Sequence, residues 1–211
     1  MKKQILTILL FLAATFNAFA DSPLTSTVWW EHYKNNAVVV EASTQGCTDK
    51  VMAFLCDDNT PLDLRLATAN ALGWNINGQE NFERCHNYYL NQIREKYHVP
   101  LYDVIPDIYI EYSPETYCVF GYLKAMDDYL EVSTALLFAF KAHQLKPSSR
   151  GIEMILTLIT AQIKMTMTDD WCGVYQVVAK VAYDTSLEKD VSDKMVDEIM
   201  DYINNYRNYC Q

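Results

Sequence analysis

Apolar residues recur three and four positions apart along most of the chain, the repeat of a helix face. The segment near the C-terminus shows it best. Over residues 187–209, Met195, Ile199, Tyr202, Ile203 and Tyr206 fall within about 100° of arc at 100° per residue. Asp190, Asp193, Asp197 and Asp201 gather on the opposite side, within about 80°. One stripe is predicted to face a core and the other to face water.

The same pattern predicts the other helices. Residues 29–41 carry Trp30, Tyr33, Ala37 and Val40 on one face, although residues 37–40 also read as a short strand. A short helix is expected over 48–56. Asn59 or Thr60 then caps, Pro61 takes the first helical position, and Gly73 ends that helix. Asn77 and Gly78 mark a turn. Residues 79–97 align Phe82, Cys85, Tyr89 and Ile93. The stretch 98–112 is ambiguous, because Pro100 and Pro106 interrupt a helically spaced set. Ser113, Pro114 and Glu115 restart a helix that runs to about residue 144, with a break near Asp127. Residues 152–167 are apolar on nearly every side, which predicts a central helix. Thr168, Asp169 and Asp170 cap another, reaching about residue 183.

The expected fold is therefore all-α. Seven or eight helices form a single domain over residues 21–211, with a short helical stack as one arrangement.

The first twenty residues read differently. Lys2 and Lys3 precede an apolar run over residues 5–16, and Ala18, Phe19 and Ala20 follow with small residues where a signal peptidase reads. This predicts a cleaved secretory signal peptide, residues 1–20, of bacterial type, and a periplasmic or secreted destination. The run is too short to span a bilayer comfortably, so no membrane span is expected after cleavage.

Charge narrows the partners. The chain has 17 basic and 27 acidic residues, a net charge of −10. Losing Lys2 and Lys3 takes this to about −12. Such a surface disfavours nucleic acid and anionic lipid. It favours a basic partner.

All six cysteines, Cys47, Cys56, Cys85, Cys118, Cys172 and Cys210, lie after the leader. An even number in an exported chain predicts three disulfides, with the pairing left open. No two stand close enough for the usual zinc spacing.

Catalytic signatures are sparse. Glu83 with His86 and Glu95 with His98 resemble the Glu-x-x-His spacing of di-metal bundles. Both fall on one predicted helix, about 18 Å apart along its axis, so they do not converge. Cys85 and His86 are adjacent and point about 100° apart. There is no G-x-S-x-G turn, and six glycines leave little material for phosphate loops. Asp127 with Asp128 and Glu131, and Asp169 with Asp170, are the carboxylate groups an acid–base enzyme would need. Helix capping by Asp169 and Asp170 and solvated surface for Asp127 and Glu131 are the stronger reading. No catalytic residue, metal ligand or cofactor is assigned.

Fifteen tyrosines leave a recognition surface open, with Tyr88 and Tyr89 as the chosen anchors. The aspartate stripe is the companion feature. Reversing Asp193 and Asp197 is expected to weaken docking and leave the fold intact. The resulting expectation is a non-enzymatic, exported protein-binding module, of which an immunity-type inhibitor of an envelope enzyme is the specific form. The alternative is a helical envelope hydrolase acting on cell-wall sugar or peptide. The sequence does not specify an oligomeric state.

Overall fold

The computed structural model describes residues 22–75, 80–98 and 111–211. Residues 1–20, expected to be a leader, the turn expected at Asn77 and Gly78, and most of the ambiguous stretch 98–112 lie outside the described residues. Nine α-helices are present among those described: α1 (Ala37–Gln45), α2 (Asp49–Cys56), α3 (Leu62–Gly73), α4 (Asn81–Tyr97), α5 (Pro114–Asp127), α6 (Ser133–Leu145), α7 (Arg150–Thr168), α8 (Trp171–Ala182) and α9 (Asp193–Ile203). Two 3-10 segments, Trp29–Tyr33 and Asn204–Tyr209, flank them. The fold is all-α, as the periodicity predicts.

Helices adjacent in sequence pack on one another from α5 through α9. The odd-numbered helices α1, α3, α5 and α7 also pack in a row. This is the short helical stack. Helix α5 is central, touching α3, α4, α6 and α7. Its Gly121 explains the close fit with α6. A Cβ there would meet the Ala135 carbonyl and the Ala139 amide at 3.1 Å, so a side chain would require the α6 backbone to give way by a few tenths of an ångström. No described helix is long and apolar enough to cross a membrane.

Capping sets most helix starts. Asn36, Thr48, Ser113, Ser149, Asp170 and Ser192 each accept a backbone N–H of the helix they precede. Asn36 is also why the first predicted helix breaks. Its carboxamide accepts from Val38 and Val39, so the chain restarts at α1 after the 3-10 segment. Pro61 sits one residue earlier than predicted. Its extended backbone precedes α3, and its carbonyl accepts from Leu64 and Arg65.

The final helix is shorter than expected, starting at Asp193 rather than near residue 187. The preceding backbone is committed elsewhere. Glu188 N donates to the Ser148 carbonyl at 2.8 Å, and Arg150 N donates to the Glu188 carbonyl at 3.2 Å. Asp190 therefore lies off the helix.

Two buried polar arrangements hold the stack. Trp29 stacks on Tyr122 with centroids 6.2 Å apart. The Tyr122 hydroxyl accepts from Asn70 at 2.9 Å, and Asn70 accepts from the Trp30 amide at 3.1 Å. Arg65 is fully buried. Its guanidinium donates to the Leu55 carbonyl at 2.8 Å, to Asp58 at 3.2 Å and to Thr116 at 2.6 Å. Asp58 also accepts from the hydroxyls of Ser113 and Thr116. One buried cation thus joins the end of α2 to the start of α5, and each of its three nitrogens donates a hydrogen bond.

One disulfide is present, Cys172–Cys210, tying the start of α8 to the C-terminus. Cys47, Cys56, Cys85 and Cys118 are buried thiols, where three bridges are expected from the sequence. The reason is placement. Cys56 turns its sulfur to the Cys85 carbonyl at 3.6 Å, and Cys118 is enclosed within α5.

Candidate acidic docking site

The site is built on α9. Ser192 starts the helix by accepting the Met195 amide at 3.2 Å, and Asp193 occupies the first turn, where a negative charge favours the helix dipole. Met195, Val196, Ile199, Met200 and Ile203 are buried. Asp193, Asp197 and Asp201 stand one turn apart on the exposed side.

The aspartates are not equivalent. Arg150 is 6% exposed, and its Nη1 donates to Asp193 at 2.7 Å while its Nη2 donates to the Val191 carbonyl. Lys189 approaches Asp193 at 3.2 Å. The hydrogen bond from Arg150, helped by Lys189, holds the Asp193 carboxyl below the usual carboxylate range. Asp190 accepts the Ser149 hydroxyl and, at 2.9 Å, the Gly151 amide, so it secures the start of α7. Asp197 and Asp201 make no ion pair with any described residue. The predicted four-membered stripe thus resolves into one structural acid, one neutralised acid and two uncommitted ones.

Two hollows flank this pair. Asp193, Asp197 and Asp201 line a cleft of about 290 Å³ with Arg150, Tyr183, Val196, Met200 and Asn204. On the other side, Asp197 and Asp201 border a hollow of about 340 Å³ with His32, Lys194 and Glu198. His32 Nε2 lies 2.6 Å from Glu198. Asp197 and Asp201 therefore form a shared acidic ridge.

Tyr88 and Tyr89 are elsewhere. Both are half-buried on α4 and pack against the core. Tyr89 lies 5.2 Å from Tyr112 and 5.8 Å from Phe120, centroid to centroid. Helix α4 packs on α2 and α5, whereas α9 packs on α8 and the two 3-10 segments. The tyrosine pair and the aspartate ridge are not brought together. The aromatic that does line the cleft is Tyr183, which is 66% exposed. It follows the last residue of α8, where helical periodicity no longer assigns a face. Arg150 is the other residue that the sequence leaves unnoticed. A buried arginine demands partners, but nothing in the chain order links it to Asp193.

The remaining chemistry-bearing residues have structural work. His86 stacks on Phe82 at 5.3 Å and meets the Tyr112 hydroxyl at 2.7 Å, while Cys85 faces Cys47. Asp170 caps α8 by accepting from Gly173 at 2.8 Å and pairs with Lys164 at 3.0 Å. Asp127, expected on solvated surface, is instead half-buried. It accepts from the Phe82 amide at 2.8 Å and from Asn81 at 3.0 Å, fixing the start of α4. Burial pushes its carboxyl above the ordinary range. No cluster of three or more His, Cys, Asp or Glu among the described residues is arranged to hold a metal ion. Neither a family model, nor a characterised protein, nor a solved structure matches this chain.

Proposed function

We propose that this chain is an exported, non-enzymatic protein-binding module that captures a basic partner on the ridge of Asp197 and Asp201. The specific form is an immunity-type inhibitor that blocks an envelope-acting enzyme by covering its active site. The observation that carries this reading is the pair of exposed, unpaired acids between two hollows, with Tyr183 beside them. Uncompensated surface charge steers an oppositely charged partner and speeds its capture. Tyr183 adds rigid apolar area with a polar tip, the composition of a binding anchor. An overall net charge of −10 adds to the same attraction.

The hydrolase alternative draws on the same cleft, because two carboxylates one turn apart stand about 6 Å apart at Cβ. A glycosidase needs one of its pair enclosed, so that it keeps a proton at neutral pH. Here Arg150 holds Asp193 ionised, and Asp197 and Asp201 stand in water. The geometry favours attraction over proton transfer.

The test uses the purified chain and its Asp197→Lys/Asp201→Lys variant as parallel baits in a bacterial envelope extract. The expected result is a stoichiometric basic protein retained by the native chain and lost from the variant. An empty native bait, or equal retention by both, overturns the reading.

A further inference from the structure

The four thiols are not spread evenly through the core. Cys47 and Cys85 place their sulfurs 3.5 Å apart, across 38 residues of chain. The bonded pair Cys172–Cys210 spans the same separation of 38. Cys47 lies in the turn between α1 and α2, and Cys85 lies in the second turn of α4. The turn is fixed independently of the sulfurs. Gly46 has a φ of 77°, which suits glycine, and Thr48 N donates to its carbonyl at 2.9 Å. Asn75 donates to the Ala42 and Ser43 carbonyls at 3.3 Å, tying the end of α1 to the residues after α3.

We propose that Cys47 and Cys85 form a second disulfide of this protein, with Cys56 and Cys118 remaining thiols. A disulfide holds its sulfurs about 2.05 Å apart, so closure needs a movement of about 1.5 Å. Cys56 is nearby but misdirected, since its sulfur faces the Cys85 carbonyl. Cys118 is fully buried in the central helix.

The thiols also differ in readiness. In the folded protein the sulfurs of Cys47 and Cys85 share a hydrogen bond, and that contact lowers the Cys47 pKa. Burial pushes Cys56 up to about 12. In thiol–disulfide exchange during folding either thiol can react first; take the Cys47 thiolate. It attacks one sulfur of a disulfide-carrying donor and expels the other as a thiol. The Cys85 thiolate then attacks the Cys47 sulfur of the mixed disulfide and releases the second donor thiol. The chain loses two electrons and two protons, and the donor gains both. Cys47 is 2% exposed and Cys85 is 0% exposed in the folded protein, so the exchange belongs to folding, before the turn closes over α4.

This inference does not depend on the docking ridge. The full chain is denatured, reduced and refolded with oxidised and reduced glutathione. Remaining thiols are alkylated under denaturing conditions, and the digest is mapped by mass spectrometry. The expected map contains peptides joining Cys47 to Cys85 and Cys172 to Cys210, with Cys56 and Cys118 alkylated. Labelled thiols fall from four, for the Cys172–Cys210 bond alone, to two. Alkylation of both Cys47 and Cys85 overturns the proposal. So does any linkage of Cys56 to either of them. A Cys56→Ala chain treated in parallel must give the same Cys47–Cys85 peptide, and its loss there sinks the assignment as well.

Discussion

Arg150 Nη1 meets Asp193 Oδ1 at 2.7 Å, joining a buried cation at the start of α7 to an exposed acid at the start of α9. The two residues are 43 apart in sequence, and the contact changes how the aspartate stripe must be tested. The same guanidinium holds the Val191 carbonyl. Replacing Arg150 with Met keeps the stem's packing and removes both bonds. Hydrogen bonds to a charged group contribute roughly 1.5–3 kcal/mol, and the carbonyl loses its partner. The expected loss is about 2 kcal/mol, seen as a drop in melting temperature of roughly 5 °C. An unchanged melting temperature would show that this bridge does not help hold α7 to α9.

Reversal of Asp193 is consequently a poor probe of docking, because a lysine there faces Arg150. The informative pair is Asp197 and Asp201. Asp197→Lys/Asp201→Lys should fold with an unchanged melting temperature. Its association rate with the captured basic partner should fall by about tenfold or more at low salt, with a smaller change in dissociation. The difference should shrink as ionic strength rises past about 0.15 M, where charges are screened beyond about 8 Å. Stopped-flow association across a salt series reads both effects. A rate equal to that of the native chain at low salt removes the ridge from the mechanism.

Asp127 predicts a pH effect with a definite sign. Burial raises its folded pKa above the ordinary 3.8, so the folded state binds this proton more readily than the unfolded chain. The resulting stabilisation is fully present below pH 3.8 and is lost as pH rises through the folded value. Asp127→Asn abolishes this dependence. The stability of the native chain relative to the variant should therefore increase as pH falls from 7 towards 4. Chemical denaturation of both proteins across that range measures it. A difference that is flat or grows in the opposite direction refutes the assignment.

Gly121 tests the close approach of α5 and α6. Alanine is the better helix former by up to about 1 kcal/mol. Its methyl would press on the α6 backbone at the Ala135 carbonyl and the Ala139 amide, and such overpacking costs roughly 1–3 kcal/mol. Backbone yields less easily than a side-chain tip, so packing should win. Gly121→Ala is expected to lose about 1 kcal/mol in urea denaturation. A gain in stability would mean that the helices separate freely.

The fold was largely legible in the sequence because caps and periodicity are local signals. Thr48, Ser113 and Asp170 mark helix starts in the chain as they do in three dimensions. The break near Asp127 is likewise where α5 ends. What failed was non-local. Residues 187–192 carry a helical pattern, yet Glu188 and Asp190 bond to the start of α7 instead. The site divides the same way. Asp197 and Asp201 are readable from spacing alone. The neutralisation of Asp193 by Arg150, and the placing of Tyr183 rather than Tyr88 or Tyr89 beside the ridge, come from packing between distant segments. Three disulfides were a count of cysteines, whereas Cys118 depends on where α5 is buried.

The buried Arg65 also governs how the molecule comes apart. Its guanidinium donates to the Leu55 carbonyl, Asp58 and Thr116. Peeling away either α2 or α5 alone would strip a cation of part of its shell in an apolar interior, which is costly. Partial openings at this junction are thereby suppressed. The amides at the end of α2 and the starts of α3 and α5 should exchange with deuterium as one cooperative unit, although some sixty residues of chain separate the outermost of them.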